Sequence, residues 1–358
     1  MRLCDMIPVI SLDCPSYDEK VLKRTLEELL SALGGIETLI KPTEKVLIKP
    51  NLLRSSPPEK GVTTHPLLVK ALTEILKDIG AQVIIGDSPS LGPFQIVAKK
   101  TGVLEVAKSC GVKLINLDQS LSISTPSGFS FKKIDLDPRV LEVDHVINLP
   151  KLKTHSMTLL TLGVKNLFGC VPGAKKSSWH LKAGIDREAF STLLLEIALT
   201  VRPSLSILDA VWGMEGNGPS SGEPKFIGKL MASKDPLALD RAVVEGLGLS
   251  PEALLTLKVA QQRGILPEIK VLGNPLNLKG FKLPKGTTPL PYPFKFLRRF
   301  LIPKPKLEPQ KCEGCGECTQ VCPPGAIKLK DKRPIFDLEK CICCYCCQEI
   351  CIRGAIKL

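Results

Sequence analysis

The strongest constraint on this chain is a concentration of cysteine at one end of the sequence. Ten of the fourteen cysteines lie within the last 47 residues. Eight of the ten form two consecutive runs with the same spacing, C-x2-C-x2-C-x3-C. Four thiols within eleven residues, repeated once, predict that a metal cofactor organises this segment. The runs are Cys312, Cys315, Cys318 and Cys322, followed by Cys341, Cys344, Cys347 and Cys351.

This spacing is that of a bacterial two-cluster ferredoxin, where three closely spaced thiolates hold one iron–sulfur cube and the fourth ligates its neighbour. We therefore expect two [4Fe–4S] clusters whose ligands cross over between the runs. The expected sets are Cys312, Cys315, Cys318 and Cys351 for one cluster, and Cys341, Cys344, Cys347 and Cys322 for the other. Zinc ribbons usually have separated C-x2-C pairs, and disulfide frameworks belong to small secreted chains, so both alternatives suit the spacing less well.

The second run departs from the first in two details. Ile352 stands where the first run has Pro323, and the thiols of Cys343 and Cys346 are interleaved among the expected ligands. We interpret these two as packing or spare thiols. "PPGAIKL" follows the first run and "IRGAIKL" the second, which predicts two related half-domains, 303–332 and 333–358, in one small α+β module. Metal is expected to supply much of its folding free energy, since so short a module buries little apolar area.

The rest of the chain divides into a body of residues 1–281 and a basic, proline-rich linker of residues 282–302. Residues 282–310 carry seven basic side chains against one acidic side chain, a large share of the formal net charge of +13. A solvated tether is favoured over a docking patch for an acidic partner or a membrane surface. Neither a spanning apolar run nor a signal-peptide pattern is evident, and with clustered thiols this predicts a cytoplasmic protein.

The body has the pattern of an α/β fold with a mainly parallel sheet and flanking helices. Helical patterns separate short β-rich runs. One helix is predicted from Pro66 to a stop at Gly80, with apolar residues at helical spacing between them. The clearest strands are predicted at residues 45–48, 82–85, 112–116, 145–149 and 205–208.

Polar side chains follow these predicted strands. In open α/β sheets ligands bind at the carboxyl ends of the strands, so these side chains are expected to converge on one crevice. Each of these residues alone is more typical of a turn or a helix cap, and only the whole set favours a binding site. The set comprises Lys49 and Asn51, Asp87 and Ser88, then Lys151, Lys153, Thr154 and His155, then Lys165 and Asn166, and finally Asp209, with Glu215 and Asn217 in a glycine-rich loop.

The lysines of this set predict a ligand with carboxylate or phosphate groups. Because neither GxGxxG after a strand nor GxxxxGK[ST] occurs, a standard dinucleotide fold and a nucleotide triphosphatase are not expected. No nucleic-acid-binding motif is present either, and aromatic residues are few. An organic cofactor in the body is left open.

Seven blocks in order, "KPNLL", "TTHP", "GDSP", "NLPKLKTH", "GVKNLFG", "GMEGNGP" and "DPLALD", followed by the two cysteine runs, resemble the domain-of-unknown-function family 362. The resemblance covers residues 42–241 and the ferredoxin-type module. It implies a cytoplasmic iron–sulfur protein with the architecture above. It implies no particular reaction, since the family has none that is settled.

Our leading hypothesis is an iron–sulfur oxidoreductase, or its electron-transfer component, with a redox partner protein and an anionic ligand in the crevice. We expect Lys153 and Lys165 to hold the anion, His155 to transfer a proton, and Asp209 and Glu215 to orient a ligand or cation. The expected cofactor-binding residues are Lys49, Asn51, Asp87, Ser88, Asn166 and Asn217. An electron carrier or maturation factor acting on a protein is the alternative, and a redox sensor is disfavoured because no DNA-binding motif is present.

Overall fold

The computed structural model describes residues 6–90, 92–284 and 302–358. Most of the predicted basic linker therefore lies outside the described residues. Within these ranges no helix is long and apolar enough to cross a membrane.

A ten-stranded, mostly parallel sheet forms the centre of the body, with the order β12-β1-β11-β10-β7-β2-β3-β4 and with β8 and β9 attached beside β10. The antiparallel pairings are those of β11 with β1 and β10 and that of β9 with β8, whereas β8 runs parallel to β10. The sheet strands are β1 Ile7–Asp13, β2 Lys45–Pro50, β3 Gln82–Asp87, β4 Lys113–Asn116, β7 His145–Leu149, β8 Lys151–His155, β9 Leu159–Thr161, β10 Leu205–Glu215, β11 Glu223–Ser233 and β12 Ile269–Gly273; β5 Leu121–Ser124 and β6 Lys133–Leu136 form a separate hairpin.

Helices cover both faces of the sheet, because successive strand residues point to opposite sides. In β2, Val46 and Ile48 join the core under the first helices, while Leu47 joins the core under the later ones. The body helices are α1 Glu19–Ala32, α2 Ile36–Leu39, α3 Pro66–Asp78, α4 Phe94–Lys100, α5 Val103–Cys110, α6 Gly163–Asn166, α7 Gly173–Ala183, α8 Arg187–Val201, α9 Pro236–Gly246 and α10 Leu255–Gln262; 3-10 turns lie at Pro58–Lys60, Pro138–Val140, Leu167–Cys170 and Pro251–Ala253.

The sequence predicted the α/β class and the parallel sheet correctly, and each predicted strand is present. The predicted helix is α3, with Pro66 at its first position and Gly80 beyond its end in a left-handed conformation. The main difference lies after β7. Residues 151–155 form the buried strand β8 rather than a loop, and β10 extends through Asp209 to Glu215. The polar composition of residues 151–155 concealed the strand β8, which pairs with β10.

The C-terminal module consists of short strands, short helices and a 3-10 turn. Its elements are β13 Lys306–Leu307, a 3-10 turn Pro309–Lys311, α11 Glu317–Gln320, β14 Ile327–Lys330, β15 Arg333–Phe336, α12 Cys346–Ile350 and β16 Ile356–Lys357. The repeated Gly-Ala pair has the same role in both halves. The amide of Ala326 donates to Sγ of Cys322 at 3.2 Å, and that of Ala355 donates to Sγ of Cys351 at the same distance. Each donor stabilises negative charge on the last thiol of its run.

The module packs against the body through α12 and the residues beside it. Nη1 of Arg54 donates to the carbonyl of Ile350 at 3.1 Å, and Oγ of Ser220 donates to the carbonyl of Glu349 at 2.7 Å. Nη2 of Arg187 donates to the hydroxyl of Tyr345 at 2.8 Å. These contacts place α12 over the carboxyl edge of the sheet.

A buried polar network joins β8 to β10 under this edge. Nζ of Lys151 lies 2.9 Å from Oδ2 of Asp209, and both side chains are at most 1% exposed. The hydroxyl of Tyr17 donates to Oδ1 of Asp209 at 2.7 Å, and the amide of His65 donates to Oδ2 at 2.9 Å. Burial lowers the pKa of Lys151, and Asp209 opposes that shift. The network therefore holds the two strands that carry the polar residues in register.

We expect Asp209→Ala to lower the free energy of unfolding by about 3–5 kcal/mol, because it leaves the Lys151 ammonium buried without its partner. Adding Lys151→Met should recover part of the loss, since the unpaired charge is removed as well. Urea denaturation under anaerobic conditions measures both effects. If the losses of unfolding free energy in the two single variants simply add up in the double variant, Lys151 and Asp209 are not a coupled pair.

Candidate functional site

A single crevice lies where the carboxyl edge of the sheet meets the C-terminal module. Its empty volume, open mouth included, is about 890 Å³. The body lines it from the ends of β2, β3, β8 and β9 and from α6 and α7, and α12 closes it on the module side. The body side chains in its wall include Lys49, Asn51, Arg54, Asp87, Ser88, Lys153, His155, Thr161, Lys165, Asn166, Lys176, Ser177 and His180, and the module contributes Val321, Cys346, Glu349 and Ile350.

Of the polar set expected to converge, Lys151 and Thr154 do not line this crevice, and eight of the eleven residues that were assigned a role do. The other three do not. The carboxylate of Asp209 is taken up by the network described above and does not line the crevice. The carboxylate of Glu215, which ends β10, accepts from the amide of Lys282 at 3.1 Å. Asn217 is exposed on the following turn. β10 carries these three residues away from the wall because β8 lies between it and the crevice.

Four of the lining residues satisfy each other and form the floor of the crevice. Nζ of Lys49 lies 2.7 Å from Oδ1 of Asp87 and donates to the carbonyl of Pro50. Nδ2 of Asn51 donates to Oδ1 of Asn166 at 2.9 Å. The Gly169 backbone approaches so closely that a Cβ there would collide with Lys49 and Asp87. A lysine ammonium has three donors and those of Lys49 are used, so this floor is rigid support rather than a free ligand contact.

The short helix α6 presents Lys165 to the crevice. Asp240 on α9 holds the start of α6, because Oδ1 accepts from the amide of Gly163 at 2.6 Å and Oδ2 from that of Val164 at 3.1 Å. Burial raises the pKa of Asp240 to about 8. The ammonium of Lys165 has no hydrogen bond or ion pair to any described residue; it lies 6.0 Å from the ring centre of Phe168. Burial lowers the pKa of Lys165, and none of its donors is used by the described residues.

Lys153 and Lys176 each use some of their N–H donors within the protein and keep the others free. Nζ of Lys153 donates to Oδ1 of Asn51 at 3.0 Å and to the carbonyl of Val62 at 2.6 Å, which leaves one donor. Nζ of Lys176 donates to the carbonyl of Ser88 and keeps two. Burial, followed by the charge of Lys165, lowers the pKa of Lys153 well below its ordinary value. Burial lowers the pKa of Lys176 to about 8.

His155 is less available for proton transfer than the sequence suggested. Its Nδ1 accepts from the amides of Met157 at 3.1 Å and Thr158 at 3.4 Å, which places the ring proton on Nε2. Nε2 lies 2.9 Å from Oε1 of Glu349, although off the line of a good hydrogen bond. Burial, then Lys165, lowers the pKa of His155 to about 4. The imidazole of His155 is therefore neutral, and both of its nitrogens face protein groups. It links the body to the module.

His180 on α7 has the free nitrogens that His155 lacks. Its side chain is 7% exposed, no described residue pairs with Nδ1, and its ring stacks on Phe190 at 4.4 Å between centroids. Sequence reasoning missed it together with Lys176 and Ser177. Gly173, Lys176, Ser177 and His180 recur at three- and four-residue spacing in one helix, and this signal could have revealed a polar face.

Positive charge exceeds negative charge in the crevice. Its lining contains five cationic side chains and two carboxylates. One of the carboxylates, Asp87, is committed to Lys49. Burial raises the pKa of the other, Glu349, but His155 and Lys165 outweigh it and bring the value to about 2. A bound anion would oppose the depression of the lysine pKa values, so the arrangement favours an anionic ligand.

Two smaller cavities in the module separate the cysteines into the predicted crossed sets. One, with about 440 Å³ of empty volume, is lined by Cys312, Cys315, Cys318 and Cys351; the other, with about 340 Å³, is lined by Cys322, Cys341, Cys344 and Cys347. Four thiols around each space suit an iron–sulfur cube, with three from one run and one from the other.

The two remaining thiols differ in position. Cys343 is buried beside Tyr345 and Cys341 in the module, whereas Cys346 lines the crevice. Ile350 lies in the wall of both the crevice and the cavity of Cys351. One side chain therefore separates the crevice from the first candidate cluster position.

Comparison with known proteins agrees with this architecture. The profile described as "Domain of unknown function (DUF362)" matches residues 46–245, and that of a "4Fe-4S binding domain" matches residues 305–328. The thylakoid-associated protein sll1697 of Synechocystis sp. is 37% identical over 283 residues, which cover 77% of this chain and 88% of that protein.

A solved structure, the lactate racemase apoprotein from Thermoanaerobacterium thermosaccharolyticum, aligns with a TM-score of 0.43 at 15% identity, over 66% of this chain and 55% of that one.

The matched profiles and the relative of similar length leave no doubt about the family. The chain is an iron–sulfur protein and belongs to the domain-of-unknown-function family 362, with a 4Fe–4S binding domain at its C-terminal end.

Proposed function

We propose that this protein is an iron–sulfur oxidoreductase, or the electron-transfer component of one, that exchanges electrons between two [4Fe–4S] clusters and an anionic ligand in the crevice. The observation that carries the proposal is the shared wall at Ile350, between the crevice and the cavity of Cys351. A ligand in the crevice would therefore lie beside a cluster.

The proposed roles follow from which donors are free. Lys165 binds the anionic group, with Lys153 as an oriented second contact held by Asn51. His180 replaces His155 as the proton-transfer residue, because its ring nitrogens have no partner among the described residues, whereas both nitrogens of His155 face protein groups. Lys49, Asp87 and Asn166 position these groups without touching the ligand.

Electrons would enter from a redox partner protein at the exposed side of the module. Cys315 is the exposed thiol among the eight candidate ligands, and it belongs to the cluster that lies beside the crevice. Exposure lets a partner approach that cluster closely.

A second candidate function is a carrier or maturation factor that delivers electrons or iron–sulfur units to a partner protein. The position of Cys346 favours it, because this thiol lines the crevice and could receive or release metal there. The two candidates differ in whether a small anion accepts electrons.

We expect the anaerobically purified protein to contain about eight iron atoms per chain, the number in two [4Fe–4S] clusters. Cys351→Ser should lose about half of the iron and one reducible centre, whereas Cys346→Ser and Cys343→Ser should keep both. Iron and sulfide analysis with electron paramagnetic resonance of the dithionite-reduced protein measures this. Zinc in place of iron, or cluster loss in Cys346→Ser, would overturn the ligand assignment.

Reoxidation of the reduced protein by a panel of small carboxylates and phosphate esters that each carry a reducible group tests the crevice. We expect Lys165→Met to slow reoxidation by the active compound at least about tenfold, the scale of one charge-assisted contact. The exposed Lys175→Met on α7 is the matched control and should leave the rate unchanged. Equal rates in both variants, or reoxidation by a protein partner alone, would favour the carrier function instead.

A further inference from the structure

The start of α7 has the features of an anion site within the crevice. The helix begins at Gly173 after Pro172, with no side-chain cap and no acidic residue in its first turn. In the described part of the chain the amides of Gly173 and Ala174 have no acceptor. Free amides at a helix start favour negative charge, through their donors and the helix dipole.

Side chains add donors around the same point. Oγ of Ser88 lies 3.6 Å from where a Cβ on Gly173 would be, and it has no partner among the described residues. Lys176 is 8% exposed and its Nζ donates to the carbonyl of Ser88, so its ammonium is held at the same place. Ser177 lies on the same face of the helix and lines the crevice.

A second and independent observation also points to a ligand. His180, one turn beyond Lys176, is more than nine-tenths buried in the crevice wall, and its Nδ1 has no partner. Oγ1 of Thr161, 4% exposed, also lines the crevice without a partner. Buried polar atoms are rarely left unpaired, so their partner is expected from outside the chain.

We propose that Gly173, Ser88, Lys176 and Ser177 form a subsite for the phosphate group of a phosphate monoester, which is the class of ligand that the crevice binds. This inference rests on the proposed function and names its ligand. Backbone amides, two hydroxyls and an ammonium offer more donors than a two-oxygen carboxylate accepts, and they match a group with three acceptor oxygens and nearly two negative charges.

The rest of the ligand would extend from this subsite toward the module. Lys165 and His180 lie farther along the wall, and Cys346 and Ile350 close the crevice beside the candidate cluster. The phosphate would thus anchor the ligand at the body, while its other end faces the clusters.

Isothermal titration of the cluster-loaded protein with inorganic phosphate tests the subsite. We expect Lys176→Met to weaken phosphate binding about tenfold or more, and Lys175→Met, one residue away with the same change of charge, to leave it unaltered. Ser177→Ala should weaken it by a smaller factor. Equal weakening by both lysine variants, or no binding by the wild type, would overturn the subsite.

Competition experiments distinguish the two classes of phosphate monoester that could bind, a nucleotide and a sugar phosphate. Displacement of phosphate by adenosine monophosphate or by ribose 5-phosphate supports the subsite and distinguishes a nucleotide from a sugar phosphate, and displacement by neither overturns it. Iron content and reduction by dithionite are measured on every variant. In the wild type, a lack of phosphate binding together with reducible clusters counts against the subsite alone, whereas clusters that cannot be reduced count against the proposed function.

Discussion

The contact between α12 and the carboxyl edge of the sheet is the constraint on which the candidate site depends. This five-residue helix contains the candidate ligand Cys347, precedes Cys351, and closes the crevice with Cys346 and Glu349. Arg54 and Ser220 hold its carbonyls, and His155 faces its carboxylate. The body alone would leave the crevice open, so any chemistry in it depends on the fold of the iron–sulfur module.

The number of free hydrogen-bonding groups distinguishes the side chains that support the site from those that can bind a ligand. Lys49 and Asp87 are buried, close in space and fully partnered, and such a pair mainly positions its neighbours. Lys165 and His180 have no protein partner in the described part of the chain, although removing polar groups from water is costly. A ligand that binds them would offset this cost, which explains why an otherwise well-packed wall contains unpaired polar atoms.

Much of this architecture was predictable, and the failures have physical causes. Cysteine spacing predicted the grouping of thiols around two cavities because cluster geometry restricts it. The position of polar residues at strand ends located Lys49, Asp87 and Lys153, since parallel strands end at one edge. It did not locate Asp209, because the mostly apolar strand β10 pairs with β8 and buries Asp209 against Lys151. Glu349 could not be predicted, since docking of the module brings it to the crevice, whereas the spacing of polar residues along α7 was a signal for His180 that sequence reasoning missed.

The central claim is that the crevice and a cluster are neighbours, and a redox titration with and without saturating phosphate tests it most directly. An anion beside a cluster opposes the addition of an electron, so phosphate should lower the midpoint potential of at least one cluster. By linkage, reduction should weaken phosphate binding by the same factor. Unchanged potentials in protein shown by calorimetry to bind phosphate would contradict the account, because the anion would then lie too far from the clusters to interact with them.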